Sequence, residues 1–406
     1  MNRRVAVTGI GLVTPLGIGC EAFQRNLFDG RCGIGSIRGF DASSFRSHLA
    51  AEILDFRPMD FIAPRTFRRM DRLSQMVTAA ARMAIDDAGV DLAAADRSRA
   101  GIVMGTAFGA TDVVTQFATT LFTEGPRRAN PILVPNTVMN APAGHAAIEL
   151  GLHGVNTTVN HREASAETAI AYAAGQIRQG RADMLLAGGG DILSPFFFTV
   201  MERFRAFSPR DGGEERARPL DRARNGAVAG EGVGLLCLES LSVARARGAT
   251  IYCEVAGWGM GSMPAAANDW PDDSSVLVRV MDQAVAMAGL TPDAVAMVQA
   301  SASGGIRSDR LEARALTQFF SGADFPAVAA VKGALGENFA SGGIRAAALA
   351  LSLKSGVVPP TLGVSAPIIP AAAVCADARR MPLDCGLVNA CASGGTVVSL
   401  LLRRPA

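Results

Sequence analysis

Short runs of β-branched and apolar residues alternate with longer alanine-rich segments along this chain of 406 residues. The runs VAVTGIG, GIVMGT and MLLAGGG are typical of buried strands, and residues 71–88 have the apolar spacing of a helix. Strands that alternate with helices are the signature of an α/β protein whose sheet is mostly parallel. We therefore predict a large α/β fold.

The same pattern begins again near Ile251, so we predict two similar halves, residues 1–250 and residues 251–406. The second half has helix-like segments at 276–288 and 309–319. A polar, Arg-rich stretch at 208–225 is predicted to be an exposed excursion. Both halves also contain Val-Asn followed by Ala-Ser, a weak repeat that chance explains equally well, at 159–166 and 388–394.

Charge and hydropathy restrict the possible partners. The formal net charge is only +2 and no long run of Lys or Arg occurs, so nothing indicates nucleic acid or an anionic membrane as a partner. No apolar segment approaches the roughly 20 residues that cross a bilayer. The basic start and apolar run at 1–19 resemble a signal peptide, but four glycines and Pro15 interrupt this region. We interpret it as a buried strand and a loop.

Cysteine and glycine spacing give no sign of a metal or a cofactor. The seven cysteines form no CxxC pair, which favours a reduced, cytoplasmic protein without a zinc site. Gly9-Ile10-Gly11 follows a strand as in dinucleotide-binding proteins, but Thr14 stands where the third glycine of that motif belongs. We therefore expect no bound cofactor.

Two residues at predicted strand ends are candidates for chemistry. Cys391, in NACASGG, could be a nucleophile, but it has no assignable base, and such cysteines are more often inert apolar residues. Glu163, in VNHREASAETA, precedes a helix, where a carboxylate is stabilised. Capping or pairing with Arg162 explains Glu163 about as well as a functional role. All four histidines lie at or before His161, so the second half supplies no imidazole.

Several long motifs resemble the β-ketoacyl synthase branch of the thiolase superfamily. The resemblance covers nearly the whole chain, and three of its motifs stand in the family's order: RVAVTGIGLVTPLG, GPRRANPILVPNTVMNAPAGHAAIELGL and RPLDRARNGAVAGEGVGLLCLE. The resemblance implies a five-layered α-β-α-β-α sandwich made of two similar halves, and usually a dimer.

The chain departs from this family at each catalytic position. The nucleophile motif falls on HREASA, which places Glu163 at the cysteine position, and the HGTST motif falls on SASGG, which places Ser301 at the first histidine. The KxxxGHxxGAAG motif falls on KGALGENFASGG, with Glu337 at the second histidine. The remaining motif positions are Lys332, Glu312, and, where the family has phenylalanines, Cys391 and Ser393.

These departures remove the chemistry of condensation. Elongation requires a thiolate that accepts the acyl chain and two imidazoles that stabilise the enolate and the oxyanion. Losing one such group typically costs about two orders of magnitude or more in rate. We therefore expect negligible condensation by this chain alone, although the scaffold is retained.

The pattern resembles the chain length factor, or ketosynthase β subunit, of type II polyketide synthases. The resemblance implies a heterodimer with a Cys-bearing ketosynthase, in whose tunnel the polyketide grows, and an acyl carrier protein that acts through the complex. Glutamine usually replaces the nucleophile there, so Glu163 is a further departure, and aromatic and polyene pathways both stay open. The resemblance also implies that Phe108 stands at the position that limits pocket length across the dimer interface, with further wall residues at Gln116, Phe117 and Leu133. Packing alone is the competing interpretation of Phe108.

Two other functions remain open. Glu163 and Glu337 could act as an acid/base pair in a repurposed enzyme. A stand-alone module that binds acyl chains or a carrier protein is the third hypothesis, which a monomer or homodimer without need of a partner would favour.

Overall fold

The computed structural model describes residues 3–405. Its strands are β1 (Val5–Thr14), β2 (Gly17–Ile18), β3 (Ile34–Ser36), β4 (Leu49–Ala51), β5 (Ala100–Gly105), β6 (Asn156–Val159), β7 (Met184–Asp191), β8 (Ala229–Gly230), β9 (Gly232–Ser240), β10 (Cys253–Ser262), β11 (Met297–Gln299), β12 (Ala327–Ala329), β13 (Val357–Val358), β14 (Arg379–Arg380), β15 (Cys385–Cys391) and β16 (Thr396–Arg403).

The α-helices in the same range are α1 (Cys20–Phe28), α2 (Pro64–Phe67), α3 (Arg72–Ala88), α4 (Thr111–Glu124), α5 (Ala141–Leu150), α6 (Ser165–Arg178), α7 (Pro195–Arg203), α8 (Leu241–Ala246), α9 (Ser275–Met287), α10 (Ile306–Phe319), α11 (Lys332–Leu335) and α12 (Gly342–Ser355). Short 3-10 helices cover Pro58–Asp60, Arg97–Arg99, Pro131–Asn136, Arg162–Ala164, Pro292–Ala294 and Ala371–Ala373. Within the described residues, no helix is both long and apolar enough to cross a membrane.

One large sheet contains strands from both halves in the order β12-β11-β15-β16-β10-β1-β9-β7-β5-β6, with β2 paired to β1. In the middle, β1 and β10 pair at Ala6–Glu254 and Val7–Cys253. Counted outwards from this junction, β1-β9-β7-β5-β6 matches β10-β16-β15-β11-β12. This repeated order agrees with two similar halves, and the boundary between residues 250 and 251 stays a prediction.

The expectation of a mostly parallel sheet is only partly correct. The outer strands of each half are parallel, but β9 runs antiparallel to both its neighbours, and so does β16. The short connection from Cys391 to Thr396 explains β16, because parallel neighbours need a long crossover. The shared Val-Asn phrases lie on β6 and β15, which do not correspond in the repeated order, so this repeat does not mark equivalent positions.

Three hydrophobic clusters define the layers. One joins α3 and α5 to the first half of the sheet, and another joins α9 and α10 to the second half. The largest lies between the two halves and contains apolar residues of α6 and α12. The layers therefore run helix, sheet, helix, sheet, helix, which confirms the predicted sandwich.

Helix α3 begins as the sequence predicts. Asp71 accepts a hydrogen bond from the backbone N–H of Ser74 and caps the helix, and Gly89 ends it in the left-handed conformation. The segment at 208–225, by contrast, is not exposed throughout. Asp221 is buried and accepts hydrogen bonds from the backbone N–H groups of Ser365 and Ala366, so the end of the excursion is tied to the second half.

A buried ion pair joins the two helices of the central layer. Arg345 of α12 donates to the carboxylate of Glu167 of α6 and to the backbone carbonyl of Asn389 in β15. Both charged side chains are fully buried. A Cβ atom at Gly342 would lie 2.2 Å from the carboxyl carbon of Glu167, so only glycine leaves room for this pair.

Replacing Arg345 with Met should lower the free energy of unfolding by about 3–5 kcal/mol, because the charge of Glu167 would be left buried without a partner. Adding Glu167→Gln should recover most of that loss. Urea denaturation of the single and double variants measures both effects. As a control, Arg205→Met breaks an exposed ion pair with Asp211 and should cost less than about 1 kcal/mol. A similar loss in both single variants would contradict the role of burial.

Candidate functional site

Glu163 lies on the 3-10 turn that connects β6 to α6. The backbone of Arg162, immediately before it, is in the left-handed region with φ of 52°, a conformation that costs a non-glycine residue free energy. Gly105, at the end of β5, lets this turn lie close to the sheet, because a Cβ atom there would lie 2.3 Å from the carbonyl carbon of Ser165. The local backbone therefore holds Glu163 against the ends of the strands.

The carboxylate of Glu163 is bound by the loop after β15. The backbone N–H of Ser393 donates to Oε2 at 3.0 Å, and the hydroxyl of Ser393 lies 3.1 Å from Oε1. The Nε of Arg162 is 3.8 Å from Oε2. Burial raises the pKa of Glu163, since only 4% of the residue is exposed, and the positive charge of Arg162 opposes this effect. The side chain thus binds Ser393 and does not cap α6.

Ser301 follows β11 and is held between two neighbours. Its backbone N–H donates to Oε1 of Glu312 at 3.0 Å, and its hydroxyl accepts a hydrogen bond from the backbone N–H of Cys391 at 3.4 Å. Burial raises the pKa of Glu312 to about 7, and its Oε2 has no hydrogen-bond partner among the described residues. A hydroxyl in this position has no titratable proton near neutral pH, so Ser301 cannot act as the missing imidazole.

Glu337 forms a buried ion pair with Lys332. The ammonium group of Lys332 donates to Oε2 at 2.7 Å, and the backbone N–H of Phe339 donates to Oε1 at 2.9 Å. Both carboxylate oxygens of Glu337 therefore accept hydrogen bonds within the fold. An oxygen that accepts in this way does not donate a hydrogen bond to an oxyanion or enolate.

Cys391 is the last residue of β15 and is 3% exposed. Burial raises the pKa of its thiol well above the usual value, and the carboxylate of Glu312 raises it further. The thiol is therefore neutral near pH 7 and a poor nucleophile. This supports the sequence interpretation of Cys391 as an apolar residue.

The three altered catalytic positions line one cavity of about 540 Å³. Its wall includes Glu163, Ser301, Glu337, Cys391 and Ser393, which the motifs had identified. Sequence reasoning missed other lining residues. Phe339 stands at an unspecified position of the KGALGENFASGG motif, and the rest lie outside the quoted motifs: Phe207, Trp270, Arg205, Arg210 and Arg307. No histidine is among the lining residues. The cavity thus has aromatic and apolar wall residues together with several arginines, and Asp269 lies among them.

The predicted tunnel residues lie in two places. Phe108 is half-buried beside the cavity wall, with its ring centroid 5.0 Å from that of Phe339. Gln116 and Phe117 are on α4, and Leu133 is on the 3-10 helix that packs beside α4. None of these three is among the residues lining the cavity. Lys332 and Glu312 do not line the cavity either. They hydrogen-bond to two residues that do, Glu337 and Ser301 respectively.

The described residues contain no group of three or more His, Cys, Asp or Glu side chains placed to hold a metal ion. The same range contains all seven cysteines, and each is a free thiol.

Comparison with known proteins identifies the family of this fold and site. Residues 2–244 match the model of the beta-ketoacyl synthase N-terminal domain, and residues 252–365 match that of the C-terminal domain. The chain belongs to the beta-ketoacyl synthase family. A 3-oxoacyl-(acyl-carrier-protein) synthase 2 of Vibrio harveyi is 31% identical over 415 residues, which cover 99% of each chain.

Two solved structures of ketosynthases are similar to this member of the family over their full lengths. The ishigamide ketosynthase/chain length factor gives a TM-score of 0.92 at 30% identity, with 100% of both chains covered. A type II polyketide synthase acyl-carrier protein in complex with its ketosynthase bound to the hexaketide gives a TM-score of 0.90 at 25% identity, again with 100% of both chains covered.

The protonation of Glu312 should make the stability of this ketosynthase-family chain depend on pH. The folded state binds this proton more tightly than the unfolded state, so stability should fall as the pH rises from about 4.5 through about 7. Since each pKa unit is worth about 1.4 kcal/mol, Glu312 contributes up to about 3 kcal/mol to this loss.

Urea denaturation between pH 5 and pH 8 measures the effect, and Glu312→Gln is the informative variant. Glutamine keeps an acceptor for the N–H of Ser301 but does not ionise. The variant should therefore lose less stability than the wild type over this range. Equal slopes for the two proteins would show that Glu312 titrates at its ordinary pKa.

Proposed function

We propose that this chain is a non-catalytic chain length factor. It forms a heterodimer with a Cys-bearing ketosynthase and shapes the tunnel in which the partner's polyketide chain grows. An acyl carrier protein interacts with this chain through the complex. The complex is located in the cytoplasm. Neither a nucleic acid nor a membrane is a partner in this proposal.

The observation that carries the proposal is the position of the Glu163 carboxylate. It stands where the family places its nucleophile, and it accepts the backbone N–H and lies within hydrogen-bond distance of the hydroxyl of Ser393. Position 163 has no thiol on which an acyl thioester could form. The N–H and the hydroxyl of Ser393 are already bonded to the Glu163 carboxylate, so they are not free to bind an acyl group. This chain therefore shares its scaffold with family members that are named as synthases. Its cavity lacks the cysteine and the two histidines that the condensation reaction uses.

The surface around α4 supports a protein partner. Of the residues of α4, only Val113 is buried, although the helix is rich in apolar side chains. Large exposed apolar residues cluster on α4 and on the segment that follows it: Val114, Phe122, Ile132, Val134 and Val138. Within residues 3–405, strand β6 ends the large sheet and has one edge without a paired strand. Apolar side chains and an open sheet edge both favour association with another subunit.

The likeness to the ishigamide ketosynthase/chain length factor supports the finer assignment. Glutamate at position 163, where glutamine is usual for aromatic pathways, leaves both polyene and aromatic products open.

The chain should co-purify with the Cys-bearing paralogue, and the pair should form polyketide that neither subunit forms alone.

If Phe108 is the gate, its replacement by alanine should give a longer product. In the reconstituted pair, Phe108→Ala should deepen the tunnel, because it removes a ring that fills the end of the tunnel. Mass spectrometry of the products should then show chains longer by one or more extender units. The pair with Met59→Ala, which alters an exposed residue far from α4 in sequence, should keep the wild-type distribution. An unchanged distribution with Phe108→Ala would refute the gate.

A repurposed enzyme is the second candidate, and one observation favours it. Glu163 has a raised pKa and lines the same cavity as Glu337, whose carboxylate is paired with Lys332. Two carboxyl groups in such different environments are suited to acid/base roles.

The double variant Glu163→Gln/Glu337→Gln separates the two candidates. For a passive subunit, the reconstituted pair should keep its total product yield to within about twofold, because only groups that act in the transition state change the rate. A loss of yield with the complex intact on size-exclusion chromatography would instead indicate acid/base chemistry. A chain that binds carrier protein as strongly without the paralogue would favour a stand-alone binding module.

A further inference from the structure

An aromatic triad of Phe108, Phe197 and Phe339 connects the gate position to the cavity wall. The ring centroids of Phe108 and Phe197 are 4.5 Å apart, those of Phe108 and Phe339 are 5.0 Å apart, and those of Phe197 and Phe339 are 5.3 Å apart. Phe339 also lines the cavity. Since Phe197 and Phe339 are buried while Phe108 is half-buried, the two inner rings form the support against which Phe108 rests.

The backbone that carries Phe339 is held in an unfavourable conformation. Its φ is 59°, in the left-handed region that a bulky side chain rarely adopts. Such a conformation persists only where the surroundings fix it. Glu337 does this from two residues away, since Oε1 accepts the N–H of Phe339 while Oε2 is paired with Lys332.

Asp191 connects this turn to the loop that carries Phe108. The carboxylate lies at the end of β7 and is buried. Oδ1 accepts the backbone N–H of Phe108 at 2.9 Å, and Oδ2 accepts the backbone N–H of Ala340 at 3.2 Å. The same carboxylate also accepts hydrogen bonds from the other groups of the Phe108 loop: the hydroxyl of Thr106 and the N–H groups of Ala107 and Gly109. One side chain thus fixes the distance between the two aromatic loops.

We propose that Asp191 and Glu337 are positioning residues for the gate: they hold the backbones of Phe108 and Phe339 so that the aromatic triad sets the depth of the partner's tunnel. This inference rests on the proposed function. It gives the carboxylate at the second histidine position a task, although that carboxylate takes no part in condensation. Phe339 and Phe197 then influence product length without contacting the growing chain.

The test uses the reconstituted pair with Asp191→Asn and, separately, with Phe339→Leu. Asparagine can present its carbonyl oxygen to the Phe108 loop or to Ala340, but not to both. Leucine keeps the left-handed backbone and removes the ring. In each variant, the ratio of longer to wild-type product should rise by about threefold or more, because Phe108 loses a packed neighbour or its backbone tether. Total product should change little, since no reacting group is altered.

Two matched variants control for general loosening of the fold. Asp221→Asn alters another buried carboxylate that binds backbone N–H groups, and Phe320→Leu alters a buried ring of the second half. Both should lower the melting temperature to a similar extent and leave product length unchanged. Crystal structures of Asp191→Asn and Phe339→Leu should show the Phe108 ring displaced, a readout that does not need the partner.

The outcomes separate this inference from the proposed function. A pair that does not form, or forms no polyketide, overturns the proposed function and this inference together. If the pair is active and Phe108→Ala lengthens the product, but Asp191→Asn and Phe339→Leu behave like their controls, the gate stands and the positioning role is wrong. A length shift in all four variants would also overturn it, since general loosening would then explain the result.

Discussion

The ion pair between Glu167 and Arg345 is the interaction on which the geometry of the centre depends. It joins α6, which begins beside Glu163, to α12, which follows the motif of Glu337, and Arg345 also binds the carbonyl of Asn389 two residues before Cys391. Each of these elements brings one altered motif to the cavity. Charges buried this completely tolerate little displacement, because an unpaired partner would pay a large desolvation penalty.

The positions that the family motifs mark as catalytic are bonded within the fold of this chain. The altered catalytic positions are occupied by side chains that bind one another or the backbone: Glu163 binds Ser393, and Glu337 binds Lys332 and the N–H of Phe339. These hydrogen bonds and the ion pair offset part of the cost of burying the two carboxyl groups. These positions are therefore internally bonded parts of the fold, and they still line a cavity of about 540 Å³.

Much of the fold followed from local pattern, whereas long-range contacts did not. Helix α3 could be predicted to within a residue because its apolar spacing and the cap at Asp71 are local signals. Family motifs in the right order placed Glu163, Ser301 and Glu337 in one cavity. The antiparallel course of β9 and β16 could not be predicted, since a buried strand has the same apolar pattern in either direction. Asp191 carried no signal, because its donors lie far away in sequence, at 106–109 and 340.

The place of β16 in the sheet has a consequence for how the protein is made. This strand, Thr396–Arg403, lies between β10 and β15 and is the last of the sixteen to leave the ribosome. Until it emerges, β10 and β15 have no strand between them, and the inner faces of the second half stay exposed to solvent. The second half of the sheet can therefore close only after synthesis has reached residue 403, and its apolar faces stay uncovered until then. A protein of this topology depends on late, long-range pairing, and chaperones that shield exposed strands would act on its second half.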